Sequence, residues 1–148
     1  MYKNILVAID DSETSRSALK EALHIAKTSS AKLYIAHVAD ETMLNLHGHA
    51  MMGAVNLDGA VANLVQAGQN LLDKAMESAT GIDAEALMLE ASKRRISEII
   101  ADKAKELGID LIIIGRHGQR GLATFILGSV AEQLARIAEA SVLLVRKH

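Results

Sequence analysis

The chain carries four short, uninterrupted runs of apolar residues, and these runs leave few folds open to it. A strand exposed on one face alternates apolar and polar residues, whereas a strand buried on both faces of a parallel sheet reads as a continuous apolar run. The runs cover residues 5–9, 33–36, 111–114 and 142–145. A fifth segment, 84–89, alternates more and is predicted to be a strand at an edge of the sheet.

Between the runs, apolar residues recur with the period of a helix. Ser12 or Thr14 can cap the first predicted helix, and Gly108 is a suitable stop for the third. The second, third and fourth predicted helices cover about 59–80, 95–107 and 129–139. Alternating strands and helices predict an open five-stranded parallel sheet, α/β in class, with right-handed crossovers and helices on both faces. In such sheets ligands bind at the carboxyl ends of the strands.

Composition narrows the possible functions. A length of 148 residues predicts a single domain, 1–148, and the absence of cysteine excludes disulfides, thiol catalysis and four-cysteine metal sites. Sixteen basic against 18 acidic residues give a net charge of -2, which disfavours nucleic-acid binding. The three aromatic residues are too few for a base-stacking platform. No apolar run approaches the ~20 residues of a membrane span, so we expect a soluble, cytoplasmic protein.

The most informative segment is the glycine-rich stretch between the fourth strand and the last helix. Glycines allow close approach of the main chain to a ligand, and a helix N-terminus attracts anions. Its spacing is neither the Walker pattern nor the dinucleotide fingerprint. The alternative is a surface loop in which Ser129 only caps the helix. The candidate phosphate ligands are Gly115, Gly118, Gly128 and Ser129, with Arg116, His117 and Arg120 as possible cationic contacts.

A second candidate site follows the first strand, where Asp10 and Asp11 precede Ser12 and Glu13. A carboxylate at the end of a strand can accept hydrogen bonds from ribose hydroxyls. Aspartate and serine are also ordinary turn and capping residues at such a position, so a structural role remains open.

Taken together, these segments resemble the single-domain universal stress protein family over nearly the whole chain. The resemblance is carried by the opening segment 3–10 with Ser12 and Glu13, by segment 110–115, by the glycines with Ser129, and by the closing segment 142–146. It implies strand order 3-2-1-4-5, in a fold like that of the adenine nucleotide alpha hydrolases. It also implies a homodimer through the last strand, from Ser141 to Arg146.

The family's site residues map onto matching positions here. The resemblance implies that Asp10 meets the ribose and that the main chain of Val38, together with Ala36 or His37, meets adenine. The phosphates would lie against the segment that leaves the fourth strand and enters the last helix: Ile114, Gly115, Gly118, Gly128, Ser129 and Val130. The implied ligand is ATP, or ADP or AMP, accompanied by Mg²⁺. Asp11 and Glu90 stand where the family commonly has glycine, which adds negative charge near the nucleoside end.

Three functions remain open at this point. The first is a nucleotide-dependent regulatory module in stress response that acts on an unidentified protein partner. The second is a slow ATPase, for which His117 is present but no second acid–base residue is evident. The third is a dimeric interaction module with a structural nucleotide. The connection over 39–58, with His47 and His49, gives only weak support for a metal site.

Overall fold

The computed structural model describes residues 1–42, 44, 57–116 and 128–147, and within them strands and helices alternate. The elements are β1 (Asn4–Ala8), α1 (Glu13–Ser29), β2 (Lys32–Asp40), α2 (Leu57–Glu77), β3 (Ala84–Ala91), α3 (Ile96–Glu106), β4 (Leu111–Gly115), α4 (Ser129–Ile137) and β5 (Ser141–Val145). The five described strands form one sheet in the order β3-β2-β1-β4-β5, and every neighbouring pair is parallel. The predicted fold class and strand order are confirmed.

Three of the four apolar runs lie in the central strands β1, β2 and β4, whereas the fourth, 142–145, lies in β5 at an edge of the sheet. Ile5, Leu6 and Val7 of β1 and Ile112 and Ile113 of β4 are fully buried. Both edge strands, β3 and β5, are mostly half-buried. The prediction that the alternating segment 84–89 forms an edge strand is therefore confirmed.

Helices cover both faces of the sheet, and each face has its own apolar core. Along β1, Ile5 and Val7 pack into the core beneath α1 and α2, whereas Leu6 packs into the core beneath α3 and α4. A part-buried hydrogen bond joins the two helices on the second face: the Ser97 hydroxyl of α3 donates to Gln133 Oε1 of α4 at 2.6 Å. This hydrogen bond holds the middle of α4 against α3.

The second strand is longer than its apolar run predicts. β2 continues to Asp40 because it pairs with β3 along its whole length, as far as Asp40 opposite Ala91. Ala39 and Asp40, which the sequence places in the long connection, are therefore strand. The helix after the connection begins at Leu57 instead of residue 59 and ends at Glu77. Residues 43 and 45–56 of that connection, with His47 and His49, lie outside the described residues.

The predicted cap of α1 and the predicted stop of α3 are confirmed, whereas the last helix differs from prediction at its cap and at its end. Ser12 is the N-cap of α1, since its hydroxyl accepts from the Ser15 N–H at 3.2 Å, and Gly108 follows α3 with a φ of +62°. The last helix ends at Ile137 because Ala138 is already extended, and its N-cap is Gly128. The interpretation of Ser129 as an N-cap is therefore wrong. None of the described helices is both long and apolar enough to cross a membrane.

Candidate functional site

The carboxyl ends of three adjacent strands gather the predicted site residues at one edge of the sheet. Asp10 follows β1, Val38 lies near the end of β2, and Gly115 ends β4. Because β1 stands between β2 and β4, Asp10 lies between the other two. The chain crosses to β2 on one side of β1 and to β4 on the other, which is the point where ligands bind in open parallel sheets.

Asp10 forms a tight turn that leads into α1. Its Oδ1 accepts a hydrogen bond from the Ser12 N–H at 2.8 Å, and its own N–H donates to Ser15 Oγ at 2.8 Å. Asp10 therefore does stabilise the turn before α1, which is the structural role that the sequence left open. The carboxylate remains half-buried at the edge of the sheet and is held in one orientation by this turn.

The end of β4 packs directly on the N-terminus of α1. A Cβ added to Gly115 would lie 2.7 Å from Thr14 Oγ1, 2.9 Å from the Thr14 carbonyl carbon and 3.0 Å from the Ser15 nitrogen. Only glycine fits this contact without displacing the main chain. The sequence pattern assigned Gly115 to a ligand and did not reveal its contact with α1.

The two ends of the glycine-rich segment are joined to each other. The Gly128 N–H donates to the Arg116 carbonyl at 2.8 Å, while the Arg116 N–H donates to the Val145 carbonyl at 2.8 Å. Hydrogen bonding therefore holds the entrance of α4 beside the end of β4. His117, Gly118 and Arg120 lie between these ends, outside the described residues.

Among the described residues, no side chain caps the N-terminus of α4. Its N-cap is Gly128, which has no side chain to accept from the first N–H groups of the helix. Ser129 and Val130 are the first two residues of α4, and Ser129 is exposed. An uncapped helix N-terminus beside a strand end favours a bound anion.

The main-chain N–H and C=O of Val38 lie beyond the point where β1 stops pairing with β2. The β1–β2 ladder ends at Ala8 opposite Ala36, and the Ile9 N–H still donates to the Ala36 carbonyl at 2.8 Å. The main-chain groups of Ala36 therefore face β1, and those of Val38, two residues further along, face the same way. Beyond Ile9 the first strand turns away into α1, so within the described residues no strand pairs with this edge of Val38.

His37 is a polar residue of this region whose contacts the sequence did not reveal. Its Nδ1 lies 2.8 Å from the Ile9 carbonyl oxygen, and its half-buried ring packs against Gly68 of α2. The sequence signal for such a role is a histidine that interrupts the apolar residues of a buried strand.

Charges at this edge are partly paired. Lys147, just beyond β5, donates to Glu13 Oε2 at 2.7 Å, and this hydrogen bond lowers the pKa of Glu13 below its usual value. Arg16 Nη1 lies 3.8 Å from Asp11 Oδ1, so the guanidinium offsets the additional negative charge of Asp11. Among the described residues, no group of three or more His, Cys, Asp or Glu side chains could hold a metal ion.

Comparisons with known proteins agree with this geometry. A model described as the universal stress protein family matches residues 1–146. Universal stress protein YxiE of Bacillus subtilis is 34% identical over 149 aligned residues, covering 99% of this chain and 100% of YxiE. The solved structure of hypothetical protein MJ0577 has a TM-score of 0.83 at 25% identity, covering 100% of this chain and 98% of that one. A universal stress protein solved in complex with cAMP has a TM-score of 0.71 at 24% identity, covering 99% of each chain. The chain therefore belongs to the universal stress protein family.

Proposed function

We propose that this protein binds an adenine nucleotide at the carboxyl edge of its sheet and acts as a nucleotide-dependent regulatory module in stress response. ATP with Mg²⁺ is the expected ligand, and ADP or AMP would use the same contacts. The observation that carries the proposal is the order of groups along this edge. An open main-chain edge at Val38, a fixed carboxylate at Asp10 and an uncapped helix N-terminus at Ser129 follow one another across three neighbouring strands.

Each group suits one part of the nucleotide. The Val38 N–H and C=O offer a donor and an acceptor to the edge of adenine, which itself presents both. The Asp10 carboxylate accepts from ribose hydroxyls. The N–H groups at Ser129 and Val130, with the Arg116 guanidinium, attract phosphate. With few aromatic residues in the chain, base recognition rests on main-chain hydrogen bonds and aliphatic contacts.

The comparisons support an adenine nucleotide without specifying ATP. One solved protein of this fold is a complex with cAMP, which shares adenine, ribose and phosphate with ATP. Any Mg²⁺ would be held mainly by the phosphates, as is usual for this ion. A regulatory role would require bound and free states that differ at a surface read by another protein.

Two measurements test the proposal directly. Native mass spectrometry of freshly purified protein should show a retained nucleotide and identify it by mass. Calorimetry with ATP and Mg²⁺ should show binding by the wild type and its loss in the double variant Gly118→Val, Gly128→Val. A wild type that binds no adenine nucleotide in either measurement would contradict the proposal.

Replacing Asp10 with asparagine is expected to weaken ATP binding by about 10-fold, because a charged acceptor of ribose hydroxyls becomes a neutral one. Asparagine keeps an Oδ1 that can accept from the Ser12 N–H, so the turn should persist. Calorimetry measures the change. The matched control is Asp11→Asn, which removes the adjacent exposed carboxylate and should leave affinity within about 2-fold. Equal effects of both variants would refute the ribose role.

We also propose that β5 pairs with β5 of a second copy. An apolar edge strand of a soluble protein is normally covered or paired, and Val142, Leu143 and Leu144 remain half-buried at this edge. Light scattering should give twice the 15.8 kDa chain mass for the wild type, and a smaller mass for Leu144→Lys. A monomeric wild type would rule out edge pairing.

A further inference from the structure

The His37 side chain reaches across from β2 to the end of β1. Its Nδ1 lies 2.8 Å from the Ile9 carbonyl oxygen. A carbonyl only accepts hydrogen bonds, so Nδ1 carries a proton and donates to it. On its other side the ring lies against α2, where a Cβ added to Gly68 would be 2.5 Å from His37 Cδ2 and 3.0 Å from Nε2. The missing side chain at Gly68 leaves the space that the ring fills.

This contact falls where the β1–β2 ladder stops. The Ile9 N–H donates to the Ala36 carbonyl, so a continuing parallel ladder would next place the Val38 N–H on the Ile9 carbonyl. The ladder instead ends at Ala8 opposite Ala36, and the Ile9 carbonyl receives the His37 ring. The imidazole takes the position that the Val38 N–H would otherwise occupy.

We propose that His37 is a positioning residue for base recognition. By capping the Ile9 carbonyl, the ring ends the ladder and leaves the Val38 main-chain edge available to adenine. It also fixes the Ile9 peptide group, which leads directly to the Asp10 carboxylate. This inference rests on the proposed adenine nucleotide site and adds to it the side chain that keeps that site open.

The first experiment needs no nucleotide. Amide hydrogen exchange followed by NMR should show the Val38 N–H of the unliganded wild type exchanging at least about 10-fold faster than the Ala36 N–H, which lies within the ladder. In His37→Leu the Val38 N–H should become protected as it takes over the Ile9 carbonyl. In His37→Asn, whose side-chain amide can donate from the δ position, fast exchange should persist. A wild-type Val38 N–H as protected as that of Ala36 would overturn the inference.

The second experiment measures base recognition as the ratio of ATP affinity to ITP affinity. ATP and ITP differ at the six-position of the base, where an amino group becomes a carbonyl and the adjacent ring nitrogen becomes a donor. A main-chain edge that recognises adenine should therefore favour ATP. Calorimetry should show His37→Leu losing about 10-fold in ATP affinity and most of its preference over ITP, with His37→Asn recovering both.

The outcomes separate the two proposals. A wild type that binds neither nucleotide defeats the proposed function, and the positioning role falls with it. If the wild type binds ATP and His37→Leu shows unchanged affinity and an unchanged ATP-to-ITP ratio, the positioning role is wrong while the proposed function stands. Thermal unfolding of each variant, measured alongside, identifies any loss of binding that follows from loss of the fold.

Discussion

Replacing Gly115 with valine is expected to lower the free energy of unfolding by about 3 kcal/mol, at the upper end of the usual range for overpacking. Two of the three atoms that a Cβ would approach within 3.0 Å belong to the main chain of Thr14 and Ser15. Main-chain atoms at the start of a packed helix cannot move aside as the end of a long side chain can. The added atoms must therefore push α1 and β4 apart. Urea denaturation of both proteins measures the difference.

The same substitution should also weaken the proposed binding of an adenine nucleotide, because α1 carries the turn of Asp10 and β4 leads into the glycine-rich segment. Gly108→Ala is the matched control: Gly108 has a φ of +62°, but a Cβ there would meet nothing within 4 Å. That variant should lose only about 1 kcal/mol, from the left-handed conformation alone, and should keep its affinity. Equal losses of stability in both variants would show that contact with α1 is not what requires glycine at position 115.

The sequence predicts the sheet better than it predicts the site. Continuous apolar runs form the central strands β1 and β4, since burial on both faces acts on every residue of a short strand. The run over 142–145 shows that such a pattern does not by itself separate a central strand from an edge strand, because it forms β5. The extension of β2 through His37 to Asp40 is not visible, because those residues are stabilised by pairing with β3 and include polar side chains. The strand order is implied by the family resemblance, because periodicity does not encode which strands are neighbours.

Within the site, the sequence identifies residue types that suit a nucleotide but not the contacts that organise them. Gly115 meets Thr14 and His37 meets Gly68 across long separations in the chain, and no local pattern encodes such a pair. The cap of α4 is a similar case. Ser129 is the preferred residue type for an N-cap, yet hydrogen bonding between Gly128 and Arg116 sets the start of the helix one residue earlier than that preference would place it.

Gly68→Ala is expected to destabilise the protein by about 2 kcal/mol, within the range for overpacking. Helix propensity alone would instead make the substitution stabilise α2. Glycine is about 1 kcal/mol less favourable than alanine inside a helix. The added methyl group, however, would lie 2.5 Å from His37 Cδ2 and 2.7 Å from Met88 Cε. The methionine methyl can rotate away, but the imidazole is held by its hydrogen bond to the Ile9 carbonyl. Steric overlap therefore outweighs helix propensity.

A double-mutant cycle in urea isolates the contact with the ring. In a His37→Ala background the ring is absent, so adding Gly68→Ala should restore the gain expected from propensity and raise stability by up to about 1 kcal/mol. Ala67→Gly, at the exposed neighbouring position, measures the propensity difference in this helix without the contact. If Gly68→Ala has the same sign and size in both backgrounds, the ring does not occupy the space above Gly68. In that event, the positioning of the Val38 edge by His37 would also lose its structural support.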